Sequence, residues 1–347
     1  MAQKTNWAVK RQAKLKGMIA NMKTAVIGSG SWGTAIAMLL AQKGNDVYLW
    51  SWQQEETDRL INDRENKEFL PGIKFLDNIV CTHDMGKCIA GADVVVTAVP
   101  SPATRTTAKQ MKEFVADGQI IVNISKGLEG DLRLSEVFKS EMPNANVSAL
   151  SGPSHAEEVS RKIPTTVVVA SDDDKTAKFL QDVFMCDYFR VYTSDDIIGV
   201  ELGGALKNVI ALCAGVSDGL GYGDNTKAAL ITRGIAEMKR LGVAMGAKES
   251  TFAGLSGIGD LIVTGTSTLS RNHTAGEYLG KGLSLEETLE KVHMVVEGVN
   301  TAAAAYGLGR KYNVSTPIID QAYNVLFNGT EPRTAVNLLM TREKTSE

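Results

Sequence analysis

Short apolar runs alternate with amphipathic segments from Lys23 to Tyr192, and this alternation constrains the fold more than any other feature. Apolar runs of this length favour buried strands, and the segments between them are suited to crossover helices. The strand candidates are Thr24–Ile27, Asp46–Trp50, Ile79–Thr82, Asp93–Ala98, Ile120–Ile124, Val147–Leu150, Thr165–Ala170 and Phe189–Tyr192. We therefore predict a parallel sheet covered by helices.

A glycine-rich loop directly follows the first predicted strand. Gly28, Gly30 and Gly33 form the pattern GxGxxG between this strand and a predicted helix. The first glycine permits a tight turn, the second lets the backbone approach a pyrophosphate, and the third lets helix and strand pack closely. The helix N-terminus would face the anion. Together with the alternation, this loop predicts a Rossmann-like dinucleotide-binding domain.

From about Ser194 onward the strand signals stop and the apolar residues recur at helical spacing. Residues 284–287 fit a capping box, and Pro317 falls at a predicted helix start. The sequence thus predicts an α/β N-terminal Rossmann-like domain, residues 22–193, followed by an all-α C-terminal domain, residues 194–340. Residues 341–347 form a predicted tail.

Residues 1–21 are basic and contain no acid. The apolar stretch Met18–Ala20 is too short for the core of a secretory signal. We predict a disordered leader, or an upstream start codon with Met22 as the functional start. A transit peptide is the less favoured alternative, because the segment lacks serine.

Composition excludes several classes of protein. The net charge is -3 with both signs spread along the chain, which argues against nucleic-acid binding. We find no apolar run near the roughly 18 residues of a membrane span and predict no transmembrane segment. Four cysteines without CxxC or metal-ligand spacing indicate free thiols, no metal and a cytoplasmic location. The oligomeric state stays open, and a homodimer is compatible with the sequence.

The choice between NAD and NADP also stays open. An acid after the second strand would bind the ribose 2′-hydroxyl, and an arginine would bind a 2′-phosphate. This chain has Ser51-Trp52-Gln53-Gln54 there, so neither rule applies. Trp52 either stacks on adenine or packs against the protein.

Polar clusters follow three later strands, where ligands of such sheets bind. They are Val99–Pro102, Ser125–Gly127 and Ser151–Ala156. Lys126 would bring an ammonium to substrate or cofactor, whereas the lone His155 has no evident acidic partner.

Lys207 lies in the stretch of residues 201–234, within an apolar helical run and just after the small residues at 203–205. Burial lowers a lysine's pKa, so such an ammonium could exchange a proton with a substrate oxygen. Downstream, Asp260 could bind that ammonium or a hydroxyl, and Arg271 with Asn272 could bind a phosphate. A lysine that reaches solvent from a core helix is the alternative.

With these residues assembled, the chain resembles bacterial NAD(P)-dependent glycerol-3-phosphate dehydrogenases over about residues 22–340. The resemblance rests on GSGSWGTA (28–35), SKGLE (125–129), GPSHAEEV (152–159), ELGGALKN (201–208), GLSGIGDLIVT (254–264), SRN (270–272) and VVEG (295–298). It departs from the family at Trp52 and Gln53, where members often carry histidine or arginine, and at His155, where phenylalanine is common.

The resemblance implies reversible hydride transfer between NAD(P)H and dihydroxyacetone phosphate, giving sn-glycerol 3-phosphate for phospholipid synthesis. Lys207 resembles the family's proton donor and acceptor. The matching substrate contacts are Lys126, Gly152, Ser154, Asp260, Ser270, Arg271 and Asn272. The matching cofactor positions, besides the three loop glycines, are Ser31, Trp32, Trp52, Lys126, Ala156, Arg271, Val295 and Glu297.

The predicted fold is compatible with two other functions. A non-catalytic dinucleotide sensor would be favoured if Lys207 or Lys126 were an inert residue, and both lysines are present. A related dehydrogenase for a UDP-sugar would need a cysteine nucleophile, which no crevice motif supplies. One for an acyl-CoA would favour a histidine–acid pair, which the sequence does not reveal, and a hydroxyacid substrate stays open.

Overall fold

The computed structural model describes residues 21–344 and residue 346. The predicted basic leader therefore lies outside the described residues except for Asn21. The same holds for positions 345 and 347 of the predicted tail. The predicted architecture, a Rossmann-like half followed by a helical half, is confirmed.

The N-terminal half is built on ten strands, eight of which form one sheet. The strands are β1 (Lys23–Ile27), β2 (Asp46–Trp50), β3 (Ile79–Thr82), β4 (Val94–Thr97), β5 (Ile120–Asn123), β6 (Leu128–Glu129), β7 (Leu132–Arg133), β8 (Asn146–Ser151), β9 (Thr165–Ala170) and β10 (Phe189–Ser194). The order in the large sheet is β10-β9-β8-β5-β4-β1-β2-β3, and β6 and β7 form a separate hairpin. From β1 the chain adds β2 and β3 on one side of the sheet, and then β4 pairs with β1 on its other side. This switch between β1 and β4 opens a crevice at the carboxyl ends of the two strands.

The prediction of a wholly parallel sheet is wrong at one pairing. Strands β8 and β9 run antiparallel, with Leu150 opposite Val169. The connection between them contains only the five-residue helix Ala156–Ser160. A helix of that length spans about 8 Å, whereas a six-residue strand spans about 20 Å, so the chain does not return to the start of the sheet.

Helices cover the sheet and form the whole C-terminal half. Those of the sheet half are α1 (Ser31–Gln42), α2 (Gln54–Asp63), α3 (Met85–Ile89), α4 (Thr104–Met111), α5 (Leu134–Glu141), α6 (Ala156–Ser160) and α7 (Asp174–Phe184). Those of the helical half are α8 (Ile197–Gly219), α9 (Asp224–Ala244), α10 (Asp260–Thr266), α11 (Arg271–Gly280), α12 (Leu285–Val292), α13 (Glu297–Lys311), α14 (Pro317–Phe327) and α15 (Pro332–Met340). The capping box at Ser284 and the helix start at Pro317 are confirmed. The division at residues 193 and 194 stays a prediction.

Helix α8 is the centre of the helical half. It is long and apolar enough to cross a membrane by length and composition, so the statement that no segment approaches a span is wrong. However, 89% of its apolar window is buried inside the protein, as expected of a core helix. Glycines let neighbours approach closely: a Cβ on Gly203 would lie 2.6 Å from the Ser256 carbonyl oxygen. The helix therefore carries Lys207 into the interior.

Candidate active site

The glycine-rich loop has the geometry of a pyrophosphate cradle. Gly28 has φ +114, and a Cβ there would lie 2.7 Å from the Ala98 carbonyl oxygen. A Cβ on Gly33 would lie 2.0 Å from the Gly28 carbonyl oxygen. A Cβ on Gly30, by contrast, would meet nothing within 4 Å. Gly28 and Gly33 thus serve the fold, whereas Gly30 faces open space at the N-terminus of α1, where Ser31 begins the helix.

Lys207 is buried, with 5% of its surface exposed. Its Nζ donates to Thr264 Oγ1 at 2.7 Å and lies 3.0 Å from Asp260 Oδ1. The pKa of Lys207 is lowered to about 8, mainly by burial and in part by the charge of Lys126, while Asp260 opposes the shift. The structure therefore contains the predicted buried ammonium, and the alternative of a lysine that reaches solvent is wrong.

Asp260 joins two ammonium groups. Its Oδ2 accepts from Lys126 Nζ at 2.7 Å, while Oδ1 faces Lys207. Burial alone would raise the pKa of the Asp260 carboxyl, but Lys126 and Lys207 together hold it below its usual value. Lys126 Nζ also donates to the Gly152 carbonyl oxygen at 2.7 Å and to Ser154 Oγ at 3.3 Å. The structure thus brings together Lys126, Gly152, Ser154, Lys207 and Asp260.

The sequence explains why these groups meet. Lys126 follows β5 and Gly152 follows β8, and the two strands are parallel neighbours whose carboxyl ends share one edge of the sheet. Asp260 begins α10, which packs against α8 beside Lys207. Thr264 was missed by sequence reasoning, although it lies four residues after Asp260 and therefore on the same helix face.

Two asparagines connect this cluster to α11 and α13. Asn208 donates to the Lys126 carbonyl oxygen at 2.9 Å and accepts from Asn272 Nδ2 at 2.9 Å. Asn272 Oδ1 in turn accepts from the Gly298 N–H at 2.8 Å. Ser270, expected to contact substrate, is the N-cap of α11 and accepts from the His273 N–H at 3.2 Å. Ser270 and Asn272 are therefore already engaged within the protein.

Arg271 lies beside the cluster at the start of α11. Its Nη1 donates to the Val295 carbonyl oxygen at 3.3 Å, and the residue keeps solvent access. Glu297 accepts from the Ser101 N–H at 2.9 Å and from the Ser101 hydroxyl. Burial raises the pKa of Glu297, and the charge of Arg271 opposes this. These contacts join the loop after β4 to the helical half.

The remaining predicted cofactor positions lie along the crevice. Ala156 is buried in a small cluster with Ala35 of α1, against which Trp32 packs. Trp52 is 66% exposed, well away from full burial, and lines an open pocket of about 560 Å³ together with Trp50 and His83. The packed alternative for Trp52 is therefore not what the structure shows.

His155 and His273 differ in how they lie relative to the cluster. Burial lowers the pKa of His155, and the Lys207 and Lys126 charges lower it further, so this imidazole lies near both ammonium groups. A histidine–acid pair also exists, contrary to the sequence-based view: His273 Nε2 lies 2.8 Å from Asp218 Oδ2. Asp218 is eleven residues beyond Lys207 on α8, about 16 Å along the helix, so this pair lies outside the cluster.

Residues 21–344 contain no group of three or more histidine, cysteine, aspartate or glutamate side chains that could hold a metal ion. The polar groups at the centre of the crevice are instead two lysines, an aspartate, a threonine and backbone carbonyls. Such a set offers a proton donor and hydrogen bonds to a ligand that carries oxygen.

Comparisons with known proteins agree with this geometry. Residues 23–177 match the family model of the NAD-dependent glycerol-3-phosphate dehydrogenase N-terminus, and residues 196–337 match that of the C-terminus. A Moorella thermoacetica protein named glycerol-3-phosphate dehydrogenase, NAD(P)+, is 55% identical over 325 residues, covering 93% of this chain and 97% of the relative. The Bacillus subtilis protein of the same name is 50% identical over 330 residues, covering 94% and 96%.

A solved structure supports the same conclusion. The crystal structure of glycerol-3-phosphate dehydrogenase from Coxiella burnetii superposes with a TM-score of 0.90 at 36% identity. The match covers 93% of this chain and 99% of that one. Both halves are thus matched in sequence and in structure. The chain belongs to the NAD-dependent glycerol-3-phosphate dehydrogenase family.

Proposed function

We propose that this protein catalyses reversible hydride transfer between a reduced nicotinamide dinucleotide and dihydroxyacetone phosphate, giving sn-glycerol 3-phosphate. The single observation that carries the proposal is the buried Lys207 ammonium, shared with Asp260, between the helical half and the sheet edge. Family membership supports the cofactor class and the substrate class. A role in glycerophospholipid synthesis is consistent with this reaction.

In the reaction, the bound nicotinamide supplies the hydride that adds to C2 of the ketone. Negative charge develops on the ketone oxygen, and the Lys207 ammonium stabilises that charge and delivers the proton. Thr264 and Asp260 hold Nζ from the protein side, which fixes the direction of its remaining N–H bond. In the oxidation direction neutral Lys207 takes the hydroxyl proton.

The other residues bind and orient. Lys126 places a second positive charge beside Asp260 and Ser154, suited to a substrate oxygen. Arg271 supplies a guanidinium for the phosphate, which lies away from the reacting carbon and fixes the ketone in place. Gly30 leaves room for the cofactor pyrophosphate. Asn272, Gly152 and Ser270 act by holding these groups.

The test is an assay of purified protein with dihydroxyacetone phosphate and either NADH or NADPH, followed by the absorbance of the reduced nicotinamide. We expect oxidation with at least one cofactor. Lys207→Ala should lower kcat by about 100-fold or more while leaving cofactor binding largely intact. Lys281→Ala, which removes an exposed ammonium from the same half, is the control. Near-normal turnover of Lys207→Ala would contradict the assignment.

Failure of oxidation with both cofactors, in a protein that still binds dinucleotide, would favour the sensor or a dehydrogenase of another hydroxy substrate. The assignment to the cytoplasm is also a proposal, supported by four cysteines that form no disulfide in the described part of the chain. The homodimer stays a prediction, which light scattering of the purified protein tests.

A further inference from the structure

A buried carboxylate lies beside the glycine-rich loop. Glu56, in the first turn of α2, is 8% exposed. Its Oε1 accepts from the Ser29 hydroxyl at 2.6 Å, and its Oε2 accepts from the Ser51 hydroxyl at 2.6 Å. Within residues 21–344, no lysine or arginine forms an ion pair with the Glu56 carboxylate.

The two serines place this charge at the adenosine end of the crevice. Ser29 lies between Gly28 and Gly30 of the pyrophosphate cradle, and Ser51 directly follows β2. In Rossmann-like domains the ribose of the adenosine lies between these two segments. Here the acid comes from α2 rather than from the end of β2, which is why the spacing along the sequence did not reveal it.

The segment that follows β2 offers no cation for a 2′-phosphate. Residues 51–54 contain no lysine or arginine, and Arg59 of α2 is paired with Glu68 at 3.2 Å. The pocket beside Trp52 contains Lys109 and Glu113, one charge of each sign. A phosphate at the 2′-position would bring up to two negative charges towards Glu56, whose buried charge water screens weakly.

We infer that Glu56 makes this site selective for the dinucleotide without a 2′-phosphate, so that NAD(H) is preferred over NADP(H). The inference rests on the proposed function, because it assumes that the crevice binds a nicotinamide dinucleotide. Selectivity here comes from repulsion of the wrong ligand rather than from an added contact to the right one.

The test measures binding without turnover. Isothermal titration calorimetry gives the dissociation constants of ADP-ribose and of its 2′-phosphate, a pair that differs only in the phosphate. We expect the unmodified protein to bind ADP-ribose at least about tenfold more tightly. Glu56→Gln keeps the shape of the side chain and can still hydrogen-bond both serines. It should narrow the ratio of the two dissociation constants by about tenfold. The narrowing should come from tighter binding of the 2′-phosphate.

Glu55→Gln is the matched control, since Glu55 is the exposed neighbour in the same helical turn. It removes the same net charge and should leave the ratio within about twofold. Equal narrowing by both variants, or equal binding of the two ligands by the unmodified protein, would overturn the role of Glu56. With either of these two outcomes, the proposed function still stands if the protein reduces dihydroxyacetone phosphate. Binding of neither ligand, without reduction, would overturn both proposals.

Discussion

Asp260→Asn tests the electrostatic origin of the proton donor. The carboxylate lies 3.0 Å from Lys207 Nζ and 2.7 Å from Lys126 Nζ. Asparagine keeps the size and a hydrogen-bonding oxygen but removes the charge. Two ammonium groups then face each other with no anion between them, so the charged form of Lys207 becomes less stable.

The size of the effect follows from the distances. An opposite charge within about 4 Å shifts a pKa by roughly 1 to 3 pH units, and the Asp260 carboxylate is within that range. The pKa of Lys207 is about 8 with Asp260 in place. In Asp260→Asn we therefore expect a value of about 5 to 7. At pH 7 about half or more of the variant molecules would hold Lys207 as the neutral amine.

The direction of the pH dependence follows from the chemistry. Ketone reduction needs the ammonium, so kcat/KM is high below the pKa of Lys207 and falls as the pH rises through it. The falling limb near pH 8 should move to lower pH in Asp260→Asn. Oxidation of sn-glycerol 3-phosphate needs the neutral amine, so kcat/KM for oxidation should rise with pH. The rising limb of that profile should also move to lower pH in Asp260→Asn.

The assay is the pH profile of kcat/KM in both directions, with thermal unfolding recorded for each variant. Asp131→Asn is the control, because Asp131 also pairs with a lysine, Lys311, but on the exposed surface. Its limbs should not move. Asp260→Asn limbs that stay near pH 8, or that move to higher pH in a folded variant, would refute the reasoning.

Four further substitutions test the glycine-rich loop, the phosphate site and a buried acid. Gly30→Val should abolish dinucleotide binding in calorimetry with little change in unfolding free energy, whereas Gly33→Ala should lower the unfolding free energy by about 1–3 kcal/mol. Arg271→Ala should raise KM for dihydroxyacetone phosphate by roughly 30-fold or more and barely change reaction of unphosphorylated dihydroxyacetone; equal effects on both would contradict phosphate binding. Glu237 accepts a hydrogen bond from the Ile318 N–H, and burial raises the pKa of its carboxyl to about 7. The folded state then binds more protons than the unfolded chain between about pH 4.5 and 7, so the unfolding free energy should fall by about 3 kcal/mol as the pH rises through that window. Denaturant unfolding of Glu237→Gln should lose this dependence, and an unchanged dependence would exclude Glu237 as its cause.

Local patterns predicted the elements of this fold well. The period of apolar residues is set by whether the chain forms a strand or a helix, so the eight long strands and the helical half could be read from the sequence. The antiparallel pairing of β8 and β9 could not, because it depends on how far a short connection reaches in space. The membrane-like length of α8 was missed for a related reason. Its small residues serve packing, and glycine and alanine do not stand out as an apolar run.

The candidate site was predicted in part. Lys207, Lys126 and Asp260 each lie in a recognisable motif, and the structure brings them together. The ion pair between Lys126 and Asp260 joins positions 134 residues apart, which no local pattern encodes. Thr264 and Glu56 were missed because their function depends on the partner that each contacts.

The two lysines come from different halves of the chain, and this has a mechanistic consequence. Lys126 follows a strand of the sheet, whereas Lys207 and Asp260 belong to the helical half. The charge of Lys126 both lowers the pKa of Lys207 and holds the Asp260 carboxylate ionised. The proposed proton donor therefore has its tuned pKa only when the sheet half and the helical half are packed together. If the substrate binds between the same groups, as proposed, one contact between the two halves both forms the site and tunes its acid.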